Sequence, residues 1–248
     1  MTAARTVLAI SGSDRLDFLQ GLVTNDVTRA EGALIYAALL TPQGKYLADF
    51  FLTARGDAIL LDVDADLAPS LIQRLSMYKL RADVTIEDSG LTVSRGTGPV
   101  PEGALPDPRH PDMGWHLYSE TALPDDGTDW DAVRVAHCIP QSGIELVPND
   151  TFLLEAGFER LSGVDFRKGC YVGQEVTARM KHKTELRKGF ATVEVVGTAP
   201  VGTPITAGGK SAGTLFTQSG GRGIAYLRFD RATGPMEAAG AAISLPKK

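Results

Sequence analysis

The chain has 248 residues, a length that suits one large domain or two smaller ones. Hydrophobic residues make up 43% and charged residues 22%, with 27 Gly and 14 Pro, a balance that excludes collagen-like and disordered chains. The net charge of −5 argues against a whole-domain DNA binder, and no apolar run approaches the ~20 residues that cross a bilayer.

Residues 1–7 lack the long apolar core of a secretory leader, so the expectation is a cytoplasmic protein that neither spans nor anchors to a membrane. Cys138 and Cys170 are too few for a disulfide scaffold, and one copy of the chain cannot supply a four-cysteine iron–sulfur site. The four histidines show no zinc-type spacing, so no metal site is expected.

Ser13 stands where an N-cap would open a helix whose apolar stripe is Leu16, Phe18, Leu19, Leu22 and Val23. Residues 34–40, 46–53 and 58–63 then read as an antiparallel meander, with Thr41-Pro42-Gln43-Gly44 as its first turn. Asp66 is placed to cap a helix carrying Leu67, Leu71, Ile72 and Leu75. Strands follow at 84–87, 91–94 and 115–118, and the Gly- and Pro-rich stretch 96–111 reads as an irregular surface connection. Thr128 and Asp131 have the spacing of a capping box for a helix that runs to about Cys138 and stops before Pro140. From Phe190 onward short β-rich pieces at 191–196, 212–217 and 223–229 alternate with glycines, the pattern of a small barrel. The expected fold class is α+β for residues 1–187, followed by an all-β domain over 188–248.

The chemistry concentrates between Asp165 and Arg179. Cys170 lies between Gly169 and Gly173, beside Arg167 and Lys168; a neighbouring cation stabilises a thiolate, and the glycines permit close backbone approach. Gln174 and Glu175 open a helix whose first N–H groups are free. Seven Lys/Arg stand against two Asp/Glu from Arg167 to Lys188, a local basic stripe on an acidic protein. From the residues alone, Cys170 is either a buried small hydrophobe or a reactive thiol.

The string Lys168-Gly169-Cys170-Tyr171-Val172-Gly173-Gln174-Glu175 resembles the K-G-C-[YF]-x-G-Q-E motif of the YgfZ family, folate-binding proteins of iron–sulfur cluster assembly or repair related to the glycine-cleavage T-protein. The blocks Phe18-Leu19-Gln20-Gly21…Thr24-Asn25-Asp26-Val27 and Pro42-Gln43-Gly44-Lys45…Asp49-Phe50 are similar to two further family blocks, and 202–228 resembles the family's C-terminal barrel. The resemblance implies a cloverleaf of two α+β lobes around a central channel plus a small β-barrel, with tetrahydrofolate in the channel. It assigns Cys170 the chemistry, with Lys168 tuning its thiol. Glu155 is matched to the T-protein glutamate that holds the pterin, and Trp130 to a family tryptophan associated with folate. Asp26, Asp49, Tyr171, Gln174, Glu175 and Arg179 complete the implied ligand set.

The implied partners are iron–sulfur client enzymes, including those that modify tRNA, and assembly proteins, with transient contact to a cluster. One departure bears on mechanism. The T-protein carries two adjacent acids where this chain reads Ala48-Asp49, which weighs against aminomethyl transfer. The alternatives are a tetrahydrofolate-dependent one-carbon transferase using Asp49, and a nucleic-acid module using the basic stripe.

Overall fold

The computed structural model describes residues 4–183 and 185–246. Its first lobe is built on β1 (Arg5–Ser11), β2 (Ile35–Leu40), β3 (Tyr46–Arg55), β4 (Ala58–Asp64) and β5 (Thr85–Asp88), with helices α1 (Arg15–Gln20) and α2 (Ala68–Lys79). These strands form one antiparallel sheet in the order β2-β3-β4-β1-β5. Both faces are covered. Ala37, Leu39, Phe50, Leu52, Leu61 and Val63 join a core with Leu19, Leu71 and Leu75 from the helices. Tyr36, Ala38, Leu40 and Phe51 face the opposite way, into a second core with Ile139, Leu153 and Phe158. Successive side chains point to opposite faces, so a strand covered on both sides reads as a continuous apolar run.

The second lobe contributes β6 (Thr92–Gly96), β7 (Leu105–Pro106) and β8 (Trp115–Ser119), paired in the order β6-β8-β7, and helix α3 (Trp130–His137). Helix α4 (Gln174–Lys183) follows the cysteine loop. The last six strands are β9 (Lys188–Val196), β10 (Thr203–Ala207), β11 (Lys210–Ser219), β12 (Arg222–Arg228), β13 (Met236–Ala238) and β14 (Ala241–Ser244), and they close into a barrel. Val193, Ile205, Leu215, Leu227 and Ile243 fill it. The barrel docks on α3 through Arg134, whose Nη2 donates to Thr217 Oγ1 at 2.9 Å, and through the buried Glu145, which accepts from the Thr217 hydroxyl at 2.5 Å.

The meander, the barrel and the helix stopping at Cys138 follow the sequence pattern, while the caps do not. Asp14 precedes α1 without a side-chain cap, because Ser13 Oγ is turned to Asp83 at 2.9 Å. Helix α2 begins at Ala68 with no side-chain cap, and Asp66 only donates its N–H to Asp64. Asp129, not Thr128, caps α3 by accepting the Ala132 N–H at 3.0 Å; the Thr128 hydroxyl is bound to Asp126. Asp131 pairs with Arg134 instead of closing a capping box. The stretch 96–111 is not only a surface connection. It contains β7, and its Asp107 and Arg109 are buried. Strand β1, which the sequence pattern did not single out, lies between β4 and β5.

Candidate functional site

Three sequence blocks far apart in the chain meet at the cysteine loop. Lys168 is buried, and its ammonium donates to the carbonyl oxygens of Gln20 at 2.7 Å and Val23 at 2.5 Å. Burial lowers its pKa to about 8, against the pull of Asp26 and Asp165. Thr24 Oγ1 donates to the Gly163 carbonyl at 2.7 Å, Asn25 Nδ2 to that of Ser162 at 2.7 Å, and the Asp165 N–H to Thr24 at 3.0 Å. Asp26 caps the short turn at Val27–Arg29, accepting from Thr28 and from Gln20 Nε2. Arg29 pairs with Asp26 and reaches Asp165 at 3.0 Å.

On the far side of the loop, Gly173 (φ +83°) meets the Pro42-Gln43-Gly44 turn. Tyr171 is buried in the second core, and its N–H is held by Gln174 Oε1 at 3.0 Å. Glu175 and Arg179 pair with each other at 2.6 Å on the exposed side of α4. The anchors leave the Cys170 thiol exposed beside a shallow pocket of about 260 Å³. Cys138 differs: burial pushes its thiol up to about 11.

A larger cavity, about 350 Å³, opens where the first sheet meets the second lobe and α3. A volume of this size lies in the range of small-molecule sites, roughly 300–1,000 Å³. Its lining includes Arg5, Asp49, Arg95, Arg109, Trp130 and Ser142. Asp49 is buried and hydrogen-bonded by its own chain: Oδ2 accepts from Tyr36 at 2.9 Å, and Oδ1 from Tyr46 at 2.7 Å and from Ser142. Burial, then the Asp49 charge, raises both tyrosines well above their ordinary value. Ala48 packs in the first core, on the other face of β3.

Two arginines of the cavity carry buried counter-ions. Arg5 Nε meets Asp62 at 2.6 Å, and Arg109 grips Asp107 with Nε at 3.0 Å and Nη2 at 2.7 Å. His116 bridges the two acids, with Nε2 3.0 Å from Asp107 and Nδ1 3.6 Å from Asp62. Arg95 is the exception. Its guanidinium lies 4.3 Å from the centre of the Trp130 ring, and its buried Nε has no hydrogen-bond partner.

The structure thus divides the expected residues between two places. Lys168, Asp26, Tyr171 and Gln174 gather under the Cys170 loop, and Glu175 and Arg179 lie beside it on α4; Asp49 and Trp130 line the central cavity. Glu155 belongs to neither lining. It accepts from the Tyr226 hydroxyl at 2.7 Å, and its carbonyl takes the Phe190 N–H, so it joins the barrel to the second lobe. Arg5, Arg95, Arg109, Asp107 and His116 escaped the sequence reading because each is a single polar residue in a strand or loop with no motif around it. The one available signal was the Asp107-Pro108-Arg109-His110 cluster in a stretch taken as a loop.

His110, Asp112 and His137 also lie together, their donor atoms within 4.8 Å. The imidazoles stack with their centres 3.7 Å apart, and the Asp112 carboxylate lies 2.7 Å from His137 Nε2.

Comparison with known proteins places this geometry. Residues 187–248 match the C-terminal β-barrel domain of CAF17. The iron–sulfur cluster assembly factor IBA57 of Mus musculus is 30% identical over 94% of this chain and 78% of its own length. The chain belongs to the IBA57 family of iron–sulfur cluster assembly factors. The homologue from Mycosarcoma maydis is 31% identical over 79% of the chain and 57% of that protein. Both IBA57 proteins are named as mitochondrial, which overturns the cytoplasmic expectation drawn from the N-terminal residues. The aminomethyltransferase T of the Bartonella henselae glycine cleavage system superposes with a TM-score of 0.75 over 98% of this chain and 83% of its own, at 14% identity. That likeness establishes the T-protein fold: two α+β lobes followed by the closed barrel.

Proposed function

We propose that this IBA57-family chain is a reduced-folate-binding accessory factor whose exposed Cys170 thiol serves the maturation or repair of iron–sulfur proteins, tRNA-modifying enzymes among them. The observation that carries the thiol's role is its presentation. Lys168 and Gly173 anchor the loop from beneath while the sulfur stays open to a partner. A cluster takes four protein ligands, and Cys170 offers one, so a client's thiols complete the set. The cluster is cargo in this scheme.

The central cavity supports the folate reading. Trp130 offers an indole beside a polar cleft, and Arg95, which lies over that indole, has no counter-ion among the described residues. Tetrahydrofolate would supply a flat p-aminobenzoyl ring and an anionic tail to these two groups. Asp49 does not favour one-carbon transfer. Three hydroxyls of its own chain occupy it, and its neighbour Ala48 faces away into apolar core.

The test is complementation in cells that lack the protein, reading the specific activity of a [4Fe–4S] dehydratase and the modified-nucleoside content of tRNA. Wild type restores both and Cys170→Ser restores neither. Full rescue by Cys170→Ser contradicts the proposal.

A further inference from the structure

Arg95 is the one guanidinium of the cavity's first-lobe and β6–β8 walls left without a counter-ion among the described residues. Arg5 and Arg109 are matched by Asp62 and Asp107. The acids at the rim are also engaged: Asp64 accepts the Asp66 N–H, Asp125 that of Gly127, Asp129 caps α3, and Asp131 pairs with Arg134. Arg95 has instead the face of Trp130, and its Nε is buried and unsatisfied. Burial first, then repulsion from Arg109 and Arg5, lowers its pKa to about 10. Arg95 is half-buried, with its Nε enclosed and its guanidinium bordering the open cleft, so it is a cation with no counter-ion among the described residues at a place a ligand can reach, which points to a ligand that neutralises it. The guanidinium fork matches a carboxylate in two parallel hydrogen bonds, and the Trp130 ring, 4.3 Å away, covers one side of the guanidinium.

We propose that Arg95 is the anchor for a carboxylate of the ligand held in the central cavity, and that on the folate reading above this carboxylate belongs to the glutamyl tail. Arg5 and Arg109 keep their own partners, Asp62 and Asp107, and leave Arg95 to meet the carboxylate. The tail then lies along β6 near Trp130, and the pterin extends toward Asp49 and Ser142, which line the same cleft.

Calorimetry separates this inference from the reading on which it rests. The probes are tetrahydrofolate, p-aminobenzoyl-L-glutamate as the tail alone, and 6-methyltetrahydropterin as the head alone, titrated into wild type, Arg95→Gln and Arg95→Lys. Arg95→Gln weakens tetrahydrofolate and the tail by roughly tenfold or more, the scale of a lost charge-assisted hydrogen bond, and leaves the head unchanged. Arg95→Lys, which keeps the charge and loses the fork, falls between. Urea midpoints of the ligand-free proteins show Arg95→Gln at least as stable as wild type, an outcome opposite to that of a structural arginine. Wild-type binding of tetrahydrofolate that Arg95→Gln does not weaken overturns the anchor and leaves the folate reading standing; so does an equal loss of the head alone. No binding of tetrahydrofolate or of the head by wild type overturns the folate reading, and with it the glutamyl assignment.

Discussion

Gly44 and Gly173 pack back to back: a methyl group added at Gly173 would stand 3.2 Å from the Gly44 Cα and 2.5 Å from the Thr41 carbonyl oxygen. Both residues have positive φ, +73° and +83°, a conformation that glycine adopts freely. The Pro42-Gln43-Gly44 turn is therefore a seat for the cysteine loop.

Gly173→Ala is predicted to cost about 1–3 kcal/mol from left-handed strain alone, with the clash against Thr41 adding to it. Urea denaturation measures the loss. A variant as stable as wild type would show that the loop is not held by this contact.

The two thiols are expected to separate cleanly. Cys170 is exposed, whereas burial raises the Cys138 thiol to about 11 and places it at the C-cap of α3. Brief treatment of the native protein with iodoacetamide at pH 8, followed by peptide mass spectrometry, will find Cys170 alkylated and Cys138 intact, because the thiolate is the attacking species. Comparable labelling of both contradicts the packing around α3.

Acid sensitivity follows from Asp107. Burial alone would raise its pKa, but Arg109 and His116 overcome that and hold it well below the usual carboxylate range. Below about pH 4 the unfolded chain takes up a proton there that the folded protein does not, so this contribution is present above that pH and falls away as pH drops. Asp107→Asn strands the buried Arg109 and is expected to lower stability at pH 7 by about 3–5 kcal/mol. Its urea midpoint should also fall less steeply than that of wild type between pH 5 and pH 3. An unchanged slope assigns the acid sensitivity elsewhere.

Much of the fold was legible because local pattern and tertiary environment agree. The meander around Thr41–Lys45 and the glycine-punctuated barrel carry their own turn chemistry, and α3 ends where Pro140 forbids its continuation. Helix caps were less legible, since Ser13 and Thr128 had competing partners, Asp83 and Asp126, that only the folded chain brings near. The cysteine loop was visible as a motif, but the use of Lys168 was not. Its charge lies beside Cys170 in sequence, yet its ammonium bonds the carbonyls of Gln20, the last residue of α1, and of Val23 just beyond it. The arginine lining of the cavity was hidden for a related reason. Arg95 faces its cross-strand partner His116 across 21 residues of chain, and no local spacing records such a pairing.

The central claim is that a reduced folate and the thiol occupy separate sites on one scaffold. Its most direct test is calorimetric titration of tetrahydrofolate into wild type, Cys170→Ser and Trp130→Ala. The account predicts equal affinity for wild type and Cys170→Ser, and a loss of roughly tenfold for Trp130→Ala, the scale of a lost aromatic contact. Binding abolished by Cys170→Ser and untouched by Trp130→Ala would move the ligand to the cysteine loop and contradict it.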